Sequence, residues 1–197
     1  VTYDRAFEVL VAGDTLYFGS SADYKVYCLD AHTGREEWCF FTEGPIRFAP
    51  VLYKGNVYVG SDDGFVYCLD AEDGSLTWKY RPGPEDHRLP GNGAVILLWA
   101  IRTGLFVEDG AVYCLAGSFP RQGVYLSVLD AEDGSVRLNE KVDVCPQGYL
   151  LASGNRLYVP TGRTSPEVFD RRNGEHLGTI EGHGGAYAIL TEDTLIN

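Results

Sequence analysis

Residues 26–40 read V-Y-C-L-D-A-H-T-G-R-E-E-W-C-F, and residues 66–80 read V-Y-C-L-D-A-E-D-G-S-L-T-W-K-Y. The two stretches are copies of one unit, and such self-similarity indicates a repeat architecture. The aspartates that share the fifth position are Asp30, Asp70, Asp130 and Asp170, and the steps between them are 40, 60 and 40 residues. A unit of about 40 residues is typical of one four-stranded blade of a β-propeller.

Each copy of the unit predicts a strand, a turn and a second strand. Apolar and aromatic side chains alternate with a period of two before the aspartate, as in a half-buried strand. The glycine after it lies where a hairpin needs a residue that can adopt positive φ. Trp38 and Trp78 begin the next strand, where an indole can fill the seam between neighbouring blades. We therefore interpret the repeated residues as structural: Asp30, Gly34, Trp38, Asp70, Gly74, Trp78, Asp130, Gly134, Asp170 and Gly174.

The pattern Y-x-L-D-A-x-T-G-x-x-x-W resembles the tryptophan-docking motif of the pyrroloquinoline-quinone-like (PQQ-like) β-propeller repeat. This family includes quinoprotein dehydrogenases and non-catalytic outer-membrane assembly propellers. Cys28 and Cys68 replace the small residue of the motif, and Leu138 and Gly178 take the tryptophan position in the later units. The resemblance implies an all-β propeller of four-stranded blades in a larger bacterial protein that is periplasmic or secreted.

The repeat predicts one propeller segment, with blades at residues 6–41, 47–80, 98–142 and 147–180 and part of a fifth at 185–197. The 60-residue step arises from two enlargements, residues 81–97 and 117–123. The prolines and glycines of the first predict a loop. Since PQQ-like repeats form rings of seven or eight blades, we expect about half of a larger ring, which the remaining blades or domains of the same protein complete.

Composition excludes several classes of function. A net charge of −12 argues against a nucleic-acid surface, and no apolar run is long enough to span a membrane. The five cysteines form no C-x-x-C pair and no adjacent pair. Quinoprotein alcohol dehydrogenases often carry a vicinal disulfide, so the resemblance to that branch is weaker. The four histidines show no metal-ligand spacing, and no metal site is predicted.

Three arginines suggest an anion site. Arg5, Arg47 and Arg102 each lie eight residues before a turn glycine and precede a predicted innermost strand. In a propeller that position faces the central channel, where guanidinium groups can hold a carboxylate, sulfate or phosphate. The ligand would be an anionic small molecule or saccharide, or PQQ with its three carboxylates. Alternatively, each arginine pairs with a nearby acid such as Asp4 or Glu43, or remains solvated.

The long loop offers a second set of candidates. Asp86 or His87, beside Arg88, could act as a general base, and Trp99 could be a stacking platform for a ligand. Insertions in repeat proteins often gather at binding faces, although long surface loops also cost little stability.

The sequence as a whole favours a non-catalytic module for ligand binding or protein interaction. The competing hypothesis is a fragment of a PQQ-dependent oxidoreductase of the alcohol- or sugar-dehydrogenase type, with PQQ and Ca²⁺ in the funnel.

Overall fold

The computed structural model describes residues 8–91, 94–181, 189–190 and 195–196. Blade one consists of β1 (Leu10–Ala12), β2 (Thr15–Gly19), β3 (Lys25–Asp30) and β4 (Glu36–Phe41), and blade two of β5 (Val51–Tyr53), β6 (Asn56–Gly60), β7 (Val66–Asp70) and β8 (Leu76–Tyr80). A hairpin of β9 (Arg88–Gly91) and β10 (Ala94–Leu97) and the short β11 (Thr103–Gly104) follow.

Blade three consists of β12 (Phe106–Glu108), β13 (Ala111–Ala116), β14 (Val124–Asp130) and β15 (Val136–Val142). After β16 (Gly148–Tyr149), blade four consists of β17 (Leu151–Ser153), β18 (Arg156–Val159), β19 (Glu167–Asp170) and β20 (His176–Thr179), and β21 (Ile189–Leu190) and β22 (Leu195–Ile196) complete the described strands. Among the described residues, no helix has the length and apolar character needed to cross a membrane.

Every blade is an antiparallel sheet in which the strands pair in chain order. The same irregularity recurs between the third and fourth strands, directly after the pairs Cys28↔Trp38, Cys68↔Trp78, Val128↔Leu138 and Val168↔Gly178. A bulge adds twist at a fixed position, so the four blades share one geometry. The predicted β-propeller of four-stranded blades, with part of a fifth in β21 and β22, is confirmed.

The third-to-fourth strand turn is built by the repeated aspartate and glycine. In blade one, Asp30 accepts hydrogen bonds from the backbone N–H groups of His32 and Thr33 at 3.0 and 2.7 Å. Gly34 adopts a φ of 71° and donates its N–H to the Asp30 carbonyl. A residue with a Cβ is strained at that φ, which explains why glycine holds the position.

The indoles of Trp38 and Trp78 each dock on the turn of the next blade. Trp38 donates its N–H to the carbonyl of Ala71 at 3.1 Å and lies against Gly74, where a Cβ would come within 2.6 Å of the ring. Trp78 repeats this arrangement on Ala131, also at 3.1 Å. In blade three, Leu138 takes the place of the indole.

The core lies in the seams between blades rather than in one central cluster. One cluster joins blades one and two, a second joins blades two and three, and a third joins blades three and four. The first strands face the axis, since β1 contacts β5 and β5 contacts β12. Successive side chains along a strand point to opposite faces of the sheet, so each blade packs one face against each neighbouring blade.

The predicted loop at residues 81–97 is wrong in its second half, which forms the β9–β10 hairpin with Leu89 opposite Ile96. Pro90 is tolerated because β9 is an edge strand, where a missing N–H breaks no second ladder. For the fifth blade, residues 185–188, 191–194 and 197 lie outside the described residues.

Candidate functional site

The blades present two different ends to solvent. One carries the connections between blades together with the second-to-third strand turns, and we name it the connection face. There Ile46 donates its N–H to the carbonyl of Ser20 at 3.3 Å, and Asp62 donates its N–H to the carbonyl of Pro45 at 2.8 Å. The repeated Asp-Gly turns lie at the opposite end, where Ala71 donates to the carbonyl of Gly55.

Two of the three predicted arginines meet on the connection face. Arg47 precedes the inner strand β5, and Arg102 precedes the inner strand β12. Both contact Asp62, in the β6–β7 turn between them. Arg47 donates Nε–H to Asp62 Oδ2 at 2.7 Å and adds a second hydrogen bond from Nη2, while Arg102 Nη1 lies 3.5 Å from Oδ1.

The backbone around Asp62 explains how a carboxylate becomes completely buried there. Asp62 is 0% exposed because the blade connections cover its turn on both sides. Its N–H bonds to Pro45 in the connection from blade one, and its carbonyl accepts the N–H of Leu97 at 2.8 Å from the blade-three side. An unpaired buried charge is costly, so the Asp62 carboxylate requires a positively charged partner, and Arg47 supplies two hydrogen bonds to it.

The charge of this cluster is nevertheless positive. Two guanidiniums share one carboxylate, which leaves a formal charge of +1 in a chain whose net charge is −12. The arginine side chains are 25% and 27% exposed. Each guanidinium has five N–H donors, so donors beyond the Asp62 contacts remain available to water or an anion.

Two of the three arginines predicted to form an anion site lie within the described residues. Arg5 lies outside the described residues, whereas Arg47 and Arg102 are brought together. The pairing alternative also holds for these two, but the acid is Asp62 rather than Asp4 or Glu43. The sequence signal that could have found it is the Asp-Asp pair in the turn of the second unit, beside a strand connection that carries an arginine.

The neighbouring carboxylate has a structural role. Asp63 accepts hydrogen bonds from the N–H of Glu43 at 2.8 Å, the N–H of Phe65 at 2.9 Å and the hydroxyl of Tyr67 at 2.7 Å. Burial raises the pKa of Asp63 above its usual value, and these hydrogen bonds oppose that shift. Asp63 thus fixes the turn that presents Asp62.

Tyr149 occupies the space between the inner ends of the blades. Its hydroxyl bonds to the carboxylate of Glu8 in blade one and accepts the N–H of Ala49 at 3.0 Å in the connection to blade two. Its ring contacts Phe48 edge-on at 5.2 Å, and a Cβ on Gly104 would come within 2.3 Å of it. One side chain therefore joins the inner ends of all four blades.

This arrangement does not fit PQQ with Ca²⁺. The Tyr149 hydroxyl is bonded to Glu8 and to the N–H of Ala49, and the carboxylate of Asp62 is bound by two arginines. Calcium takes six to eight oxygen ligands, whereas no group of three metal-ligating side chains occurs among the residues for which coordinates are described.

The loop candidates form two separate contacts, and one of them is an edge-on contact between the rings of His87 and Trp99, with 6.5 Å between the ring centroids. Arg88 forms an exposed ion pair with Asp86 at 2.9 Å, and His87 supplies its carbonyl to the N–H of Leu98. The stacking role predicted for Trp99 is wrong, because its side chain is only 5% exposed and packs in the core between blades two and three. Among the described residues, its indole N–H has no hydrogen-bond partner.

Three of the five cysteine side chains are buried in the seams between blades. All five cysteines are unbridged. Burial raises the pKa of Cys68 to about 11 and that of Cys114 to about 12, and it also raises the pKa of Cys28. Because the thiolate is the reactive form, these three side chains act as small apolar residues in the seams.

Comparison with known proteins places the chain in a family. The family model described as outer membrane protein assembly factor BamB matches residues 5–124, which is more than half of the chain. Among curated protein sequences, none matches.

Solved structures share the architecture at low identity. Quinohemoprotein alcohol dehydrogenase from Comamonas testosteroni is 19% identical, with a TM-score of 0.68 over 90% of this chain and 35% of that one. The computationally designed Ika8 protein is 16% identical, with a TM-score of 0.68 over 95% and 53%, and the designed Ika4 protein is 15% identical, with a TM-score of 0.63 over 86% and 93%. The chain thus spans about a third of the dehydrogenase and about half of Ika8.

At these identities the likeness shows the fold alone. Together with the docked indoles and the family match, it shows that the chain belongs to the PQQ-like β-propeller repeat family.

Proposed function

We propose that this segment is a non-catalytic propeller module, and that its connection face binds an anionic group of a ligand or partner through Arg47 and Arg102. The observation that carries the proposal is the convergence of both guanidiniums on the single carboxylate of Asp62. A half-buried pair of arginines with one formal positive charge in excess can bind a carboxylate, sulfate or phosphate with charge-assisted hydrogen bonds.

The family match supports a role in protein interaction and a location outside the cytoplasm. Its description names an outer membrane assembly factor, which favours a protein-interaction role within a larger bacterial protein, outside the cytoplasm. The likeness to a quinohemoprotein dehydrogenase concerns the fold, and the binding of the Asp62 carboxylate by two arginines disfavours the oxidoreductase hypothesis for this segment. We include Arg5, which precedes the predicted first strand of blade one, as a third arginine of the proposed anion site.

The test is titration with sulfate, monitored by amide chemical shifts at the connection face. Arg102→Gln is the principal variant, because Asp62 keeps both hydrogen bonds from Arg47 and the fold should persist. A second variant, Arg47→Gln with Asp62→Asn, removes an ion pair as a unit and avoids an unpaired buried charge.

We expect Arg102→Gln, which removes the excess positive charge of the cluster, to weaken sulfate binding about tenfold, because a charge-assisted hydrogen bond is lost. The double variant keeps the positive charge of Arg102 and should therefore retain part of the sulfate affinity. The matched control is Arg88→Gln, which removes an exposed arginine outside the cluster and should leave sulfate affinity unchanged. Equal affinity in Arg102→Gln and the unmodified protein would refute the proposal.

A further inference from the structure

The two enlargements of blade three converge on one pocket. We name it the insertion pocket, and it has a volume of about 180 Å³. Leu89 and Ile96 of the β9–β10 hairpin form one wall, Phe119 and Gln122 of the loop before β14 form the other, and Arg102 also lines it. The features that distinguish blade three from its neighbours therefore create a cavity beside the arginine cluster.

The lining is apolar with a single charge. Among the described residues that line the pocket, most are aliphatic or aromatic, Ser118 and Gln122 are polar, and Arg102 alone is charged. Asp62 is fully buried behind Arg102. A ligand in the pocket would thus meet a guanidinium and hydroxyl or amide donors, but no carboxylate of the lining.

Arg102 is the more available of the two arginines. Its contact with Asp62 is at 3.5 Å, at the limit of a hydrogen bond, whereas Arg47 makes two hydrogen bonds to the same carboxylate. Arg102 can therefore turn toward a second anion while Asp62 remains neutralised by Arg47.

The size of the pocket favours an anchor residue over a whole small molecule. Typical small-molecule sites have volumes of about 300–1,000 Å³, whereas about 180 Å³ suits one large apolar side chain. Phe119 lines the pocket and is 62% exposed. Pockets that take one large side chain are typical of the contacts that dominate the energetics of protein interfaces.

We propose that the insertion pocket captures the C-terminal residue of a partner protein, with a large apolar side chain in the cavity and its terminal carboxylate on Arg102. Terminal carboxylate capture is a recurring mode of peptide recognition. The inference deepens the proposed function, and rests on it in using Arg102 as the anion-binding group.

The test uses two synthetic peptides, acetyl-Gly-Gly-Gly-Phe with a free carboxylate and the same peptide as its amide, titrated against the full chain by NMR. We expect the carboxylate form to bind about tenfold more tightly. Arg102→Gln should abolish that preference, while Phe119→Ser should weaken both peptides. Because Phe119 is exposed, its replacement should not disturb folding.

Arg88→Gln serves as the control and should leave the preference intact. Equal affinity for acid and amide, or a preference that survives Arg102→Gln, would overturn the inference. Sulfate titration of the same samples separates the two proposals. If the unmodified protein binds sulfate but neither peptide, the insertion-pocket proposal alone is refuted. If it binds neither sulfate nor peptide, the proposed anion site at Arg47 and Arg102 is refuted as well.

Discussion

Gly34 and Gly134 hold the same backbone conformation but meet different surroundings. Their φ values are 71° and 72° in equivalent turns. A Cβ at Gly134 would come within 2.7 Å of the Trp78 ring, whereas at Gly34 no described atom lies within 4 Å. The repeated glycine therefore serves two separable purposes, which are the shape of its own turn and the docking of an indole from the preceding blade.

We predict that Gly34→Ala lowers the free energy of unfolding by about 1 kcal/mol, the cost of a left-handed conformation for alanine. Gly134→Ala should cost about 3 kcal/mol, because the indole must move from its turn and its hydrogen bond to Ala131 is weakened. Urea denaturation of both variants measures the difference. Equal losses would show that the indole contact contributes nothing beyond turn geometry.

Individual residues also show which contacts could be predicted from the sequence and which could not. The indole seams were predictable, because the repeat places each tryptophan at a fixed distance from a turn glycine. The role of Asp62 was not, since its burial depends on connections from two other blades that close over its turn. The two arginines could be aligned by counting, but their shared partner requires the three-dimensional arrangement.

At the level of elements, the β9–β10 hairpin is anchored at one end and open at the other. Leu97 is 3% exposed, donates its N–H to the carbonyl of Asp62 and packs against Gly64. Val95, two residues earlier in the same strand, is 62% exposed. The insertion is thus fixed to blade two and carries the wall of the insertion pocket on a defined support.

Leu97→Ala should therefore lower the free energy of unfolding by about 3 kcal/mol, as expected when a buried leucine is truncated. Val95→Ala removes an apolar side chain from the same strand, yet should change stability by less than about 0.5 kcal/mol. Chemical denaturation of the pair provides the measurement. A small effect of Leu97→Ala would mean that the hairpin is not fixed to the blade.

The hairpin also shows why elements differ in predictability. Central blade strands such as β7 and β13 are apolar on both faces, because each face packs against a neighbouring blade. The hairpin has a proline and glycines close together, which is a loop pattern, and Pro90 is compatible with β9 only because that strand lies at an edge. The apolar run at residues 94–97 is the feature of the sequence that could have indicated a strand.

Across the whole molecule, each blade packs mainly on its neighbours, as in other repeat proteins. Tyr149 departs from that rule, because it lies in the fourth repeat and bonds to Glu8 of the first and Ala49 of the second. Among the described side chains, Tyr149 thus links the fourth repeat to the first and second repeats. Stability should therefore depend on Tyr149 more than its partial exposure suggests.

We predict that Tyr149→Phe lowers the free energy of unfolding by about 1–2 kcal/mol, because the N–H of Ala49 and the carboxylate of Glu8 each lose a partner while the ring keeps its packing. Amide hydrogen exchange should become faster at Ala49 and in β1, on the far side of the axis from the substitution. Tyr125→Phe is the matched control, because the Tyr125 hydroxyl has no hydrogen-bond partner within the described part of the chain. If both variants lose the same stability, or if exchange rises only within blade four, the link across the axis is not a stabilising contact and the blades behave as a linear array.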